Sequence, residues 1–292
     1  MIATNDIGSV AMGRSDDEQL HNWKRRVDAR LIELGPLLAP NSVLRNAYEH
    51  AVIAPGKRVR ALLLLSASAD LGSKNMAQSV DAACAIELVH AASLILDDLP
   101  CMDDAQLRRG RPALHIAFGE SVAILTAVAL VNTAHGLCAD AGGPGATAIL
   151  ARSIGYDGLV EGQHRDLFPA VATPVAIEET YAKKTGALFV ASCKISCAME
   201  GASSSEARAL ARFAALAGTA FQLADDTLDA VATTGEAGKD VGQDRDSATL
   251  RSATSVAHAA MRKQEFLTKS MLCLDGLARS FALRTWLAAV FA

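Results

Sequence analysis

Two adjacent aspartates close a long apolar stretch of the chain and give the first indication of its fold. The stretch reads His90-Ala91-Ala92-Ser93-Leu94-Ile95-Leu96-Asp97-Asp98-Leu99-Pro100-Cys101-Met102-Asp103. Its alanines and leucines show none of the alternation of a half-buried strand, which favours a buried helix. Carboxylates are costly to bury unless they are paired or bind a metal ion. The stretch therefore predicts a core helix with an acidic site at its end.

A second acidic cluster lies in the C-terminal half and reads Phe221-Gln222-Leu223-Ala224-Asp225-Asp226-Thr227-Leu228-Asp229. On a helix, Gln222, Asp225 and Asp229 share one face, and His90 and Asp97 share a face of the first helix. If these faces meet, the carboxylates raise one another's pKa. Mg²⁺ relieves such repulsion and binds one or two carboxylates together with substrate phosphates. The two clusters therefore predict a magnesium site that a diphosphate completes.

Short basic segments accompany the acidic clusters. Arginine offers phosphate a rigid bidentate fork, and lysine adds a point charge. Taken singly, a basic segment is usually a solvated surface and an aspartate cluster a solvated helix end. Taken together, they supply counter-charge for two diphosphates. The segments are Gly56-Lys57-Arg58-Val59-Arg60, Arg108-Arg109-Gly110-Arg111, Lys183-Lys184-Thr185 and Lys239.

The composition favours a large helical core. The 292 residues are 51% hydrophobic but only 4% aromatic, which suits closely packed helices better than a β-sandwich. We predict an all-α chain, a single bundle of about ten helices around a central cavity. Residues 1–17 form a disordered tail and residues 18–292 the single domain in this prediction. The net charge of −4 provides no basic field for nucleic acid.

The bounds of the predicted helices follow from the apolar periodicity and from the positions of glycine and proline. The first helix is expected to stop at Gly35-Pro36. Convincing strand alternation is absent from the sequence. The helical patterns cover about 18–34, 75–99, 119–140, 145–166, 176–200, 205–232, 249–274 and 277–290, with a turn at 55–60 that opens a further helix.

Neither a membrane span nor export is expected. The first twenty residues are polar and lack the apolar core of a signal peptide. The apolar runs Val59 to Ala69 and Ser121 to Val131 are shorter than the roughly 20 residues that cross a bilayer. The six cysteines show no zinc spacing and are interpreted as reduced thiols of a cytoplasmic protein.

At both acidic clusters the chain resembles the trans-isoprenyl diphosphate synthases of the polyprenyl synthetase family, and most closely the bacterial geranylgeranyl diphosphate synthases. The resemblance runs from about Pro55 to Leu250. The first cluster, with four residues between Asp98 and Asp103, is similar to the first aspartate-rich motif of the bacterial type, and the second cluster to the second motif. The resemblance implies the isoprenoid synthase fold, usually as a homodimer with the cavity inside each subunit.

The same resemblance implies a prenyltransferase activity. Isopentenyl diphosphate would condense head to tail (1′–4) with an allylic diphosphate, which is dimethylallyl, geranyl or farnesyl diphosphate. The reaction would pass through an allylic carbocation and depend on Mg²⁺, with about three ions per active site. The aspartates that would hold the ions are Asp97, Asp98, Asp103, Asp225, Asp226 and Asp229.

The remaining roles are also implied by the resemblance. The allylic diphosphate would contact Arg108, Lys184 and Lys239, and isopentenyl diphosphate would contact Lys57, Arg60, His90 and Arg109. Thr185 and Gln222 would face the carbocation, and Lys184 would act with them. Phe221 would wall the isopentenyl site, and Gln163 with Asp166 matches a further family motif. The chain departs from the family at Ser247, where a second lysine is usual.

Product length is expected to depend on the helix before Asp97. Ala92 and Ser93 lie about 6–7.5 Å before Asp97 along the helix axis, where an aromatic residue stops the product at fifteen carbons in the family. Small residues there predict a twenty-carbon product, and Ala92→Tyr is predicted to shorten it. The alternative that the product tunnel ends elsewhere, with Ala92 only a packing residue, stays open.

Other functions compatible with the sequence are a farnesyl diphosphate synthase, a class I terpene cyclase and a catalytically silent regulatory subunit. The cyclase would lack the isopentenyl set Lys57 and Arg60. The intact aspartate clusters argue against a silent subunit. Ser247, which stands where the family usually has a lysine, keeps this alternative open.

Overall fold

A computed structural model of the chain describes residues 14–38, 42–169, 173–229 and 256–292. Helices make up nearly all the regular structure of this part. Their bounds are α1 Arg14–Leu38, α2 Val43–Val52, α3 Val59–Asp70, α4 Met76–Asp97, α5 Leu114–Phe118, α6 Glu120–Ile154, α7 Leu159–Leu167, α8 Pro174–Lys184, α9 Gly186–Glu200, α10 Ser204–Asp229, α11 Val256–Leu274 and α12 Phe281–Phe291.

The all-α prediction is confirmed, and α4 lies at the centre of the fold. This helix packs against α1, α2, α3, α6 and α9, and its residues from Ser79 to Ala92 are almost all buried. Helix α10 packs against α8, α9 and α11. Because α9 contacts both α4 and α10, it brings the two helices that carry the acidic clusters to opposite sides of one space.

The first helix is longer than predicted at both ends. It begins at Arg14, inside the predicted tail, and passes Gly35 and Pro36 before it ends at Leu38. Packing explains the extension, because a Cβ on Gly35 would lie 3.2 Å from the Tyr48 ring, and the Tyr48 hydroxyl donates to the Leu31 carbonyl at 2.7 Å. The division into a tail and one domain stays a prediction.

The positions of the helix breaks differ from the prediction. The expected break between 140 and 145 is a kink within α6, where only Gly143 leaves the helical region, with φ 66° and ψ −164°. Pro144 follows it at the first position of the resumed helix, where a missing N–H costs little. The helices predicted over 145–166 and 176–200 are each divided in two, the first between Ile154 and Leu159 and the second at Thr185.

Strands were not expected, yet a short hairpin follows the first acidic cluster. Strands β1 Leu107–Arg108 and β2 Arg111–Pro112 are antiparallel, with Arg108 opposite Arg111. The turn residues Arg109 and Gly110 have φ of 54° and 73°, the signs of a type I′ turn. Two-residue strands are too short to show a period of two in the sequence.

The prediction that no segment spans a membrane stays a prediction, because two stretches of helix are longer than the apolar runs read from the sequence. Helix α4 and the stretch Glu120–Leu167 are long and apolar enough to cross a bilayer, with mean hydropathies of 1.6 and 1.8. Length and composition are weak evidence, because the core helix of a soluble protein passes the same test. In α4, 72% of the most apolar window is buried inside the protein, against 33% in the other stretch.

Candidate active site

A cavity of about 720 Å³ opens between the ends of α4 and α10. Its walls come from the loop before α3, one face of α4, the loop and hairpin after α4, α7, the junction of α8 and α9, and α10. The predicted site residues that line it are Lys57, Arg60, His90, Ser93, Asp97, Asp103, Arg108, Arg109, Lys184, Thr185, Phe221, Gln222 and Asp225.

Other predicted residues are placed differently. Asp98 and Asp226 are almost fully buried behind the cavity wall, at 2% and 5% exposure. Ala92 is buried at 1% and does not belong to the cavity lining, whereas Ser93 does. Lys239 and Ser247 lie outside the described residues, and Asp229 is described only as the last residue of α10.

The first cluster is held by its own loop. The Asp103 amide donates to the Asp97 carbonyl at 2.8 Å, and the Ala105 amide to the Asp98 carbonyl at 3.2 Å. Burial raises the pKa of Asp97 to about 7, with Asp103 and Asp98 adding like charge. Burial also raises the pKa of Asp103. The loop therefore concentrates negative charge that favours a bound cation.

The hairpin returns arginines to the site. Arg108 forms a bidentate ion pair with Asp98, in which Nε lies 3.0 Å from Oδ1. Arg109 occupies the positive-φ position of the turn, and its guanidinium lies against Gly56 of the loop before α3. The turn thus aims two successive arginines at opposite ends of the cavity, the acidic end and the basic loop.

Neutral donors order the second cluster. Thr185 donates to Gln222 Oε1 at 2.5 Å, and Gln222 Nε2 donates to Asp226 Oδ1 at 2.8 Å. The Tyr181 hydroxyl donates to the other oxygen of Asp226. Sequence reasoning missed Tyr181, which is 5% exposed. Its place three residues before Lys184 is a helical spacing that could have pointed to it.

A close helix approach places Lys184. A Cβ on Gly162 would lie 2.1 Å from the Lys184 amide nitrogen, so α7 contacts the end of α8 without a side chain between them. Lys184 Nζ then donates to Asp166 at 2.5 Å. Asp97, the first of the neighbouring carboxylates, raises the pKa of Lys184 against the opposing effect of burial. The Gln163 amide nitrogen is buried without a partner in the described structure and borders the same cavity.

The opposite side of the cavity is basic and aromatic. The Arg60 guanidinium lies 5.3 Å from the Phe189 ring centroid and 5.9 Å from that of Phe221. Its Nη1 lies 3.3 Å from Nε2 of His90. Burial, and then the charges of Arg60 and Arg109, hold the pKa of His90 well below its usual value. His90 is therefore neutral at pH 7 and offers a single N–H.

Arg58 supports this basic side, a role that sequence reasoning missed. It is 6% exposed and has φ 52°, a strained value for a side chain of this size. Its guanidinium pairs with Asp28 of α1 at 2.8 Å and with Glu87 of α4 at 3.5 Å. It also donates to the Val52 carbonyl at 2.9 Å. Arg58 therefore fixes the loop that presents Lys57.

The donor set fits magnesium once substrate oxygens are added. Among the residues described, no three His, Cys, Asp or Glu side chains lie close enough together to ligate an ion by themselves. Asp97, Asp103 and Asp225 nevertheless border one cavity and offer only oxygen. Mg²⁺ needs one or two carboxylates, water and substrate phosphates rather than a full protein cage.

Comparison with known proteins places the chain in a family. The polyprenyl synthetase family model matches residues 41–273, and the chain belongs to this family. It is 41% identical to a geranylgeranyl diphosphate synthase of Pantoea ananas, over 89% of this chain and 90% of that protein. It is 42% identical to the geranylgeranyl diphosphate synthase of Pseudescherichia vulneris, over 89% and 86%.

Solved structures agree with the fold. A geranyltransferase from Helicobacter pylori, complexed with magnesium and isoprenyl diphosphate, superposes with a TM-score of 0.84 and is 26% identical, over 95% of this chain and 97% of that one. An FPP/GFPP synthase from Zymomonas mobilis has a TM-score of 0.80 and 28% identity, over 94% and 99%. The predicted isoprenoid synthase architecture is thereby confirmed.

Proposed function

We propose that the protein is a geranylgeranyl diphosphate synthase, which condenses isopentenyl diphosphate with allylic diphosphates. The observation that carries the proposal is one cavity bordered both by carboxylates, Asp97, Asp103 and Asp225, and by cations, Lys57 and Arg60. We call the carboxylate part its acidic end and the cationic part its basic end, and two anionic substrates need both. The identity of more than 40% to a named synthase supports the same activity.

The acidic end would hold the allylic diphosphate. Asp97, Asp103 and Asp225 would bind Mg²⁺, which when bound neutralises charge on the departing diphosphate. Lys184 adds a cation beside Asp97 and Asp103. Arg108 keeps its guanidinium on Asp98 and lines the same wall. These fixed charges stabilise the leaving group at the moment the allylic bond breaks.

The middle of the cavity would receive the carbocation. The hydrogen-bonded pair Thr185 and Gln222 lines the cavity, and its oxygen dipoles would stabilise positive charge there. At the basic end, Arg60, Arg109, His90 and Lys57 would fix the second diphosphate so that the isopentenyl double bond meets the cation in one orientation. The released diphosphate would then accept the proton.

Product analysis tests the proposal. The purified protein is given Mg²⁺, labelled isopentenyl diphosphate and, separately, dimethylallyl, geranyl or farnesyl diphosphate. We expect geranylgeraniol after phosphatase treatment with every primer. Farnesol alone would replace the proposal by a farnesyl diphosphate synthase. No product with any primer would overturn it in favour of the silent subunit, in which Ser247 becomes the first residue to restore to lysine.

Product length is proposed to depend on Ser93 more directly than on Ala92, because only Ser93 borders the cavity. Its hydroxyl donates to the His90 carbonyl at 2.9 Å. Ser93→Tyr is expected to shorten the main product to fifteen carbons, with Ala92→Tyr as the comparison. An unchanged product from both variants would place the floor elsewhere.

We further propose a homodimer that covers one face of α6. Ile124, Leu125 and Val128 are 43%, 58% and 54% exposed on adjacent turns, and Ile116 of α5 is 50% exposed nearby in the sequence. Contiguous apolar surface of this kind marks an interface. A second copy of the chain explains why so apolar a helix is so little buried.

Sedimentation equilibrium tests the dimer with the variant pair Leu125→Glu and Ile32→Glu. Ile32 is also exposed, at 53%, but lies on α1. We expect the Leu125→Glu variant to be a monomer and the Ile32→Glu variant to remain a dimer. A monomeric wild type would overturn the proposal.

We also propose a cytoplasmic location. It is supported by the absence of any disulfide among the six cysteines, all of which the structure describes.

A further inference from the structure

The C-terminal helix α12 reaches the basic end of the cavity through one side chain. Trp286 is fully buried, and its indole Nε1 donates to the Val59 carbonyl at 2.9 Å. Val59 is the first residue of α3 and directly precedes Arg60. The start of the helix that carries Arg60 is therefore bonded to the other end of the chain.

Aromatic rings form a second link between Trp286 and Arg60. The Trp286 and Phe189 rings meet edge to face, with centroids 6.0 Å apart. Phe189 in turn lies 5.3 Å under the Arg60 guanidinium and 5.5 Å from the ring of Phe221. Phe213 supports Trp286 from another side at 6.0 Å. Displacement of the indole would let Phe189, and with it the cation, move.

Arg60 depends on this support because few hydrogen bonds hold its charged end, although Glu87 and Asp225 favour its charge. Its Nε is buried without a hydrogen-bond partner in the described structure, and the only hydrogen bond described for its guanidinium is the one to His90. A long side chain with so few bonds must be kept in place by packing. The first turn of α12 is also tied to the last residue of α3, since Asp70 accepts from the Ala282 and Leu283 amides at 3.1 and 2.9 Å.

We propose that Trp286 is a positioning residue for Arg60, so that the C-terminal helix sets the affinity for isopentenyl diphosphate while the allylic end of the cavity is independent of it. The proposal rests on the synthase function proposed above. It assigns Trp286 no contact with substrate, and its effect passes through the Val59 carbonyl and the Phe189 ring.

Steady-state kinetics of Trp286→Phe test the proposal. Phenylalanine keeps a ring in the core but removes the N–H donor to Val59. We expect the KM for isopentenyl diphosphate to rise about three- to tenfold, the effect of one lost hydrogen bond. The kcat and the KM for geranyl diphosphate should stay close to wild type. An unchanged KM for isopentenyl diphosphate, or an equal rise of both KM values, would overturn the proposal.

The chain offers a matched control, because its only other tryptophan is Trp23. Trp23 is 5% exposed in the same core, on α1. Trp23→Phe is expected to retain wild-type KM values for both substrates. Should Trp286→Phe fail to fold, the emission of Trp286 in the Trp23→Phe variant tests the proposal without any change at Trp286.

Fluorescence supplies a readout that needs no turnover. In Trp23→Phe all emission comes from Trp286, and titration with isopentenyl diphosphate alone is expected to change it, whereas geranyl diphosphate should change it little. Emission from Trp286→Phe, which reports Trp23, should not respond. No response of Trp286 while isopentenyl diphosphate binds by calorimetry would contradict the proposal. A wild type that binds the ligand but makes no product would instead contradict the proposed function.

Discussion

The two aspartate clusters reach the same cavity by different routes. Both begin near the carboxyl end of a core helix, where the helix dipole disfavours negative charge. In the first cluster the chain leaves α4 after Asp97, and a loop and hairpin bring Arg108 back onto Asp98. In the second cluster α10 continues past Asp226, and the helical period alone sets Gln222 against it.

The two clusters differ in the kind of partner that the buried carboxylate has. The partner described for Asp98 is a cation, Arg108 of the hairpin that follows it, whereas the donors described for Asp226, the Tyr181 hydroxyl and the Gln222 amide, are neutral. An ion pair offsets the burial of a carboxylate, while a neutral donor mainly fixes its direction. We therefore expect loss of a carboxylate that lines the cavity to be severe in both clusters, and loss of a neutral donor to be milder.

The largest effect is expected from Asp97→Asn and Asp225→Asn. Each removes a charge at the acidic end, and kcat should fall about 100-fold or more at saturating Mg²⁺. Asp97→Asn should at the same time unfold at a higher temperature, because it relieves a buried charge whose pKa is raised to about 7.

Asp104→Asn is the matched control for this pair, since Asp104 is exposed beside the first cluster and asparagine tolerates its φ of 48°. Its kcat should equal that of wild type. If Asp225→Asn also kept wild-type kcat, the second cluster would have no part in binding the metal.

A smaller but still large effect is expected from Gly162→Ala. The added methyl would meet the Lys184 backbone at 2.1 Å, so α7 and α8 must separate and carry Lys184 away from Asp97 and Asp166. Displacement by about 1 Å can cost about 100-fold in rate. Gly145→Ala, where a Cβ meets nothing within 4 Å, should leave the rate unchanged. Equal rates for the two variants would show that the close approach does not position Lys184.

A moderate effect is expected from Tyr181→Phe, which tests the neutral support of the second cluster. Tyr181 would support the proposed ligand Asp225 through the neighbouring Asp226, and loss of such an outer partner typically costs about 10- to 100-fold in metal affinity or activity. The Mg²⁺ concentration for half-maximal rate should rise, with kcat at saturation less affected. Tyr156→Phe provides the control, because Tyr156 is 91% exposed. A Mg²⁺ curve that matches wild type would mean that the Tyr181 hydroxyl is not needed to orient Asp226.

The second cluster could be predicted from the sequence in more detail than the first. The shared face of Gln222 and Asp225 follows from a helical period, and both residues line the cavity. The direction of Arg108 and Arg109 could not be predicted, because it depends on a turn with two positive φ values, one of them at an arginine. Sequence propensity favours glycine or asparagine there.

The positions of the helix breaks were also poorly predicted from the sequence. Glycine and proline at 142–145 predicted an interruption that the structure reduces to one residue, Gly143. At Thr185, by contrast, α8 ends directly before Gly186, a single glycine inside a pattern predicted to be one helix. The Thr185 hydroxyl bonds to Gln222 on another helix, so the break combines a glycine signal that the prediction passed over with a tertiary contact that a single sequence does not contain.

The smallest expected effect concerns a thiol that reports on the first cluster alone. Cys101 is exposed between Asp98 and Asp103, whereas Cys84 and Cys193 are fully buried. Burial raises the pKa of Cys138 to about 11, and since the thiolate is the reactive form, such buried thiols should react slowly at pH 8.

Cys101 should therefore account for the fast phase of labelling by a thiol reagent such as dithionitrobenzoate, and Cys101→Ser should remove that phase. Magnesium with inorganic diphosphate is expected to slow the fast phase modestly, because it orders the loop from Asp98 to Asp103 around the ion. No cysteine lies in the second cluster, so the protection measures occupancy of the first. Asp225→Asn could abolish the protection of Cys101 as fully as Asp97→Asn does. In that case the two clusters would bind the ligand as one unit, and the difference between their hydrogen-bond and ion-pair partners would matter only for the orientation of the carboxylates.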